Sequence, residues 1–138
     1  MAVKQWLFAI ALGVSCAVAV AARAEMTAVE PDLDGDGKGD PVHIVSWEGP
    51  PLVVADLSST GKPVTLLRLS STAPRPELQV AAPGVYKNAC SKGIGDDQTC
   101  DAREVKLTTE GLIAAFPEAS AVLLYLEDGN PRELRLSD

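Results

Sequence analysis

Val42-His43-Ile44-Val45-Ser46-Trp47 and Leu52-Val53-Val54-Ala55-Asp56-Leu57, joined by Glu48-Gly49-Pro50-Pro51, decide the fold. β-Branched side chains suit a pleated, half-buried surface. A Gly followed by two prolines continues neither a helix nor a strand ladder, so the chain turns there. Downstream the pattern repeats: Thr60-Gly61-Lys62-Pro63 turns into Val64-Thr65-Leu66-Leu67-Arg68-Leu69, and a Pro-rich stretch at 74–76 leads to Leu78-Gln79-Val80. Residues 83–101 read as irregular, rich in Gly, Asp and Lys. Val105-Lys106-Leu107-Thr108 then alternates with the two-residue period of a half-buried strand. Glu110-Gly111 marks a turn into Leu112-Ile113-Ala114-Ala115-Phe116, which reads as a strand or as a helical turn. Residues 121–126 and 133–136 form a final hairpin around Asp128-Gly129-Asn130-Pro131, with Pro131 expected to lengthen the loop beyond two residues.

The expectation is an all-β domain of about eight short antiparallel strands with no internal repeat. Such a sheet must close, pack on another sheet or protect its edges. A sandwich, an open barrel and propeller-like four-stranded sheets all satisfy that requirement.

Immediately before the first strand lies Asp32-Leu33-Asp34-Gly35-Asp36-Gly37-Lys38-Gly39-Asp40. Carboxylates at 32, 34 and 36 converge only if the backbone wraps tightly around a point, and Gly35 and Gly37 permit that. A hard cation with six to eight oxygen ligands would offset the repulsion among them. In an EF-hand register the ligands are Asp32, Asp34, Asp36, the Lys38 carbonyl and Asp40, with Gly37 at the sharp turn. His43 falls where an EF-hand has its bidentate Glu, and Pro41 with the β-branched run after it does not make an exiting helix. Asp-x-Asp-Gly-Asp-Gly-x-x-Asp followed directly by a strand resembles the calcium loops of FG-GAP and VCBS-type repeats. That resemblance covers residues 31–46, occurs once, and implies Ca2+ with Asp40 as the last carboxylate. Magnesium fits less well, because it keeps octahedral geometry and its waters; zinc and copper favour His or Cys, which the loop lacks.

At the amino end, Lys4, an apolar core over 6–20 and Ala22-Arg23-Ala24 have the form of a secretory signal peptide. The core is short for a bilayer span of about 20 residues. The three residues before Cys16 do not match a lipobox. Residues 1–24 are therefore expected to be removed, leaving 25–138 as one exported domain, periplasmic or secreted. Removal takes Lys4 and Arg23 but no acid, so the remainder carries 10 basic against 19 acidic residues, a charge of −9. This argues against nucleic acid and anionic membrane as partners.

Cys90 and Cys100 both lie in the mature part, and in an exported chain two cysteines argue for a disulfide. Gly84-Val85-Tyr86, these cysteines, Leu107-Thr108 and the terminal Ser137-Asp138 look like those of small periplasmic proteins of proteobacteria, a group that implies no activity.

No catalytic set is expected. His43 is the one histidine and reads as an ordinary strand residue or a neighbour of the acidic loop. The acid pairs Asp96-Asp97 and Glu127-Asp128 sit in polar turns, whereas a general acid needs burial to raise its pKa. Trp47 and Tyr86 are candidate partner anchors or core residues. The functional expectation is a non-enzymatic calcium-binding β domain that binds a macromolecular partner. One form is an inhibitor or immunity protein against a basic cell-envelope hydrolase; the alternative is a carbohydrate- or envelope-binding accessory module.

Overall fold

β1 (Val42–Val45), β2 (Leu52–Asp56) and β3 (Pro63–Arg68) form an antiparallel meander with β2 in the middle. The computed structural model describes residues 29–46, 48–90, 101–118 and 120–137. The first strand ends two residues short of the apolar run at 42–47, and Trp47 lies outside the described residues. A register shift between Val53 and Val54 sets the pairing of β2 with β3.

A second sheet, in the order β4-β7-β8-β9, contains β4 (Glu77–Ala81), β7 (Gly111–Ala115), β8 (Ala121–Glu127) and β9 (Asn130–Ser137). Residues 112–115 thus belong to a strand, not to a helical turn. The third sheet pairs β5 (Gly84–Lys87) with β6 (Glu104–Leu107). Among the described residues these are nine strands in three antiparallel sheets with no closed barrel. No described helix is long and apolar enough to cross a membrane.

The sheets stack through two apolar clusters. Val53, Ala55 and Leu66 of the first sheet pack with Leu112, Ala114 and Leu124 of the second. On the opposite face of the second sheet, Leu123, Tyr125 and Leu134 pack with Leu107, and Tyr86 and Val105 lie against them. The four-stranded sheet is therefore covered on both faces. That explains why Ala121-Val122-Leu123-Leu124-Tyr125-Leu126 is apolar without alternation: Leu123 and Leu124 point to opposite clusters and both are 0% exposed.

Two local readings need correction. Strand β5 lies inside the segment read as irregular. Its four residues stay paired because Asn88, buried just beyond it, clamps β6: Asn88 Oδ1 accepts Arg103 N at 3.0 Å, and Asn88 N donates to Arg103 O at 3.0 Å. The final hairpin is also tighter than expected. Glu127 pairs directly with Asn130, leaving only Asp128 (φ 51°) and Gly129 (φ 75°) in the loop, both left-handed as a type I′ turn requires. Pro131 then lies in edge strand β9 opposite Leu126. It is one position past the pair that closes the turn, where a missing N–H interrupts no ladder bond.

Candidate metal centre

The acidic loop is pinned by its one apolar residue. Leu33 is 1% exposed and sits in the cluster with Val42, Val53 and Leu124, which holds Asp32 and Asp34 on either side at the protein surface. The neck is closed by backbone bonds, Asp40 N to Pro31 O at 2.8 Å and Val42 N to Val29 O at 2.9 Å. Gly35 (φ 77°) and Gly37 (φ 84°) adopt the left-handed backbone that lets the chain reverse twice within nine residues.

Asp32, Asp34 and Asp40 each bring a carboxylate oxygen within 4.8 Å of the others. Among the described residues none of the three is ion-paired with Lys or Arg. Repulsion between unit charges this close is on the order of 1 to 4 kcal/mol per pair, depending on solvation. Backbone donors offset part of it. Asp32 accepts Gly35 N at 2.9 Å and Gly37 N at 3.0 Å. Asp34 accepts Asp36 N at 3.1 Å and Ser59 N at 3.2 Å. Burial pushes the Asp34 carboxyl up, but hydrogen bonding from Ser59 and Asp36 outweighs it and holds the group below the ordinary Asp value.

Asp40 is the buried member, 0% exposed. Its Oδ2 accepts Leu33 N at 2.8 Å and Asp34 N at 3.3 Å, and its Oδ1 accepts Ser58 N at 2.7 Å. Asp40 therefore joins the loop to the turn after β2. Asp36 stands apart from the cluster: exposed, it accepts Ser58 Oγ on Oδ2 at 2.7 Å and Lys38 N on Oδ1 at 2.8 Å. Lys38 is exposed, with that N–H as its contact to the loop.

Sequence reasoning did not find the outside partners. Asp32 N donates to Glu110 Oε2 at 2.8 Å across 78 residues, and Thr109 Oγ1 donates to Leu33 O at 3.4 Å. Ser58 and Ser59 come from the β2–β3 turn. The turn was legible from Thr60 to Pro63, but nothing local pointed Ser58 or Ser59 at the acidic loop.

The donor set fits a hard cation. A carboxylate offers about four lone-pair sites, and each of the three uses only two or three on backbone N–H groups, so oxygen lone pairs remain. The loop contributes no His or Cys.

The other singled-out residues lie elsewhere. His43 Nε2 is 2.9 Å from Asp56 Oδ2 on the open face of the first sheet, with the side chains 43% and 47% exposed. Tyr86 donates its hydroxyl to Ala82 O at 2.6 Å and packs against the second cluster. Cys100, and with it the Cys90–Cys100 pairing, lies outside the described residues, as do residues 1–24 and the pair Asp96-Asp97. No protein family, curated protein or solved structure matches the chain.

Proposed function

We propose that this chain is an exported, non-enzymatic β domain whose 32–40 loop binds Ca2+ and which acts by binding a macromolecular partner. The observation that carries the calcium reading is the convergence of Asp32, Asp34 and Asp40 oxygens within 4.8 Å, without a cationic side chain paired to them among the described residues. Asp32 and Asp34 are the half-exposed ligands, and Asp40 closes the site from the protein side. The cation supplies countercharge and fixes the loop between the β2–β3 turn and Glu110; it has no part in a reaction.

The binding role follows from the surface chemistry. The net charge is strongly negative, which speeds encounter with basic partners and suits an inhibitor of a basic cell-envelope hydrolase. The non-enzymatic part of this reading rests on the sequence, which offers no catalytic set beyond its single histidine, His43. A glycan- or envelope-binding module is the second reading. A groove of about 520 Å³ on the outer face of β1–β2–β3, lined by Val45, Pro50, Leu52 and Val54, favours it.

The test is affinity capture from cell-envelope extract, with the purified chain as bait in calcium and in chelator, followed by mass spectrometry. A basic hydrolase retained in calcium and released by raised salt supports the inhibitor form. Retention of glycan alone selects the second reading. Capture of neither in either buffer refutes the binding role.

A further inference from the structure

A sheet edge is a row of unpaired backbone donors and acceptors that a second chain can extend. Proteins guard such edges with Pro, Lys and other charges, with short strands or with a covering segment. Among the described residues the three sheets have six edges, and five are guarded. Strand β1 is four residues long and has Val29 across Val42, with Val42 N donating to Val29 O at 2.9 Å. Strand β3 opens on Pro63 and closes on Arg68. Strand β9 carries Pro131, Arg132, Glu133 and Arg135, and its Arg135 carbonyl accepts Ala89 N at 3.3 Å. In the two-stranded sheet, Lys87 of β5 and Glu104 and Lys106 of β6 place charges on both edges.

The sixth edge is β4. It pairs with β7 on one side, and among the described residues its other side takes no backbone hydrogen bond. It holds no Pro, Lys or Arg, and its one charge, Glu77, sits at the first position. Leu78 and Val80 lie on one face of the strand, two residues apart, and Leu78 packs against the main core. Val80 is 46% exposed, an apolar side chain that the first sheet leaves uncovered. On the opposite face Gln79 is exposed, its Nε2 donating to Glu77 Oε1 at 3.3 Å. Both faces are therefore open at this edge, and nothing described in the fold protects it.

We propose that β4 is a self-association edge whose occupant is a second copy of this chain, paired antiparallel about a two-fold axis through Gln79. The pleat fixes the register. Residues facing each other across a continuous sheet share a face, so paired positions are both even or both odd. The register that uses all five residues sets Gln79 against Gln79, Leu78 against Val80 and Glu77 against Ala81. Each exposed Val80 is then covered by Leu78 of the second copy, and the two Glu77 carboxylates are held at opposite ends of the strand pair. Pro76 and Pro83 lie just outside and end the pairing. Each β4 has one free side, so the contact is isologous and assembly closes at the dimer. Both copies are strongly acidic, so association works against a long-range repulsion that salt screens.

Sedimentation velocity of the purified chain over a wide range of concentration, at low and raised salt, tests this. A monomer–dimer equilibrium is expected, with no larger species, and its dissociation constant should fall as salt rises. V80K removes both Leu78–Val80 contacts at once and puts a charge in each, so it should raise that constant roughly tenfold or more. V85K, at an exposed valine of β5 away from this edge, should leave it unchanged. Under mild oxidation Q79C should be captured as a dimer cross-linked through position 79, because facing Cα atoms lie about 4.5 to 5.5 Å apart, within disulfide reach. E77C should not, being displaced from its own copy by four residues, roughly 13 Å along the strands. A chain that stays monomeric at every concentration and salt would overturn the proposal. So would a folded V80K that dimerises like the parent, a V85K that dissociates like V80K, or cross-linking of E77C in preference to Q79C. Should V80K fail to fold by circular dichroism, the contrast of Q79C with E77C still decides.

Discussion

The Asp40 carboxylate holds the amide of Leu33: Leu33 N donates to Asp40 Oδ2 at 2.8 Å, between a residue that is 0% exposed and one that is 1% exposed. A buried acid and a buried leucine, seven positions apart, therefore fix the loop from both ends. Asp40 also accepts the amides of Asp34 and Ser58, so three backbone donors depend on one side chain. Its role in the fold is distinct from that of Asp32 and Asp34, which face outward.

Asp40→Asn should therefore be costly even without metal. The amide keeps one acceptor oxygen and turns an NH2 toward a backbone N–H that needs an acceptor. Losing charged hydrogen bonds and stranding a donor costs about 2 to 4 kcal/mol. In a domain near 100 residues that lowers the melting temperature by about 10 to 25 °C. Asp36→Asn, at an exposed carboxylate, should cost less than about 1 kcal/mol. Thermal unfolding of both variants in chelator checks the contrast; equal losses would mean that Asp40 has no special place.

Leu33→Ala tests the apolar half of the anchor. Truncating a fully buried leucine costs about 2 to 5 kcal/mol. The loop should also lose its position, so amide protection at Asp34, Gly35 and Gly37 should fall in hydrogen exchange by more than at β7 or β8. Uniform loss across the domain would show that Leu33 acts only as core filling.

How far this could be read from sequence depends on how local each cause is. Eight of the nine described strands fall on runs legible between turn residues, although 112–116 read equally as a helical turn and 121–126 does not alternate. Strand β5 escaped because Gly84-Val85-Tyr86-Lys87 has four residues next to Pro83, and what holds it is Asn88 reaching Arg103. Pro131 read as a loop residue because the direct pairing of Glu127 with Asn130, which puts it in an edge strand, is a matter of register. The acidic loop was legible as a tight turn of converging carboxylates. The way Asp36 and Asp40 are held was not, since both depend on Ser58, whose amide goes to Asp40 and whose hydroxyl goes to Asp36. Glu110, 78 residues from Asp32, had no local signal at all.

The pairing of Cys90 with Cys100 is testable by chemistry alone. Protein isolated from an oxidising compartment should yield a Cys90–Cys100 cross-linked peptide in a non-reduced digest. Closing so short a loop contributes on the order of 2 to 3 kcal/mol, so C90S/C100S should melt lower by at least 5 °C. Two thiols that alkylate without reductant would refute the bridge.

Calcium should raise the stability of the parent chain through Asp32 and Asp34. Exported modules hold calcium with dissociation constants of roughly 0.1 to 1 mM. At about 1 mM calcium and an affinity of about 0.1 mM, binding contributes roughly 1.4 kcal/mol of stability. In a domain of this size the melting temperature should then rise by about 5 to 10 °C. Asp32→Asn/Asp34→Asn removes two charged ligands, and each Asn keeps one acceptor oxygen but turns an NH2 toward one of the two backbone N–H groups its carboxylate accepts. Relief of the repulsion between the carboxylates offsets part of that loss, so this variant should be less destabilised in chelator than Asp40→Asn and should lose the calcium shift. Asp36→Asn should keep most of that shift, because Asp36 stands on Ser58 outside the cluster. Magnesium at the same concentration should give a smaller rise, its octahedral geometry being harder to meet with three carboxylates on one loop. Superimposable parent melting curves in excess calcium and in chelator, with no heat on titration, would leave the 32–40 loop a turn held by its own backbone bonds.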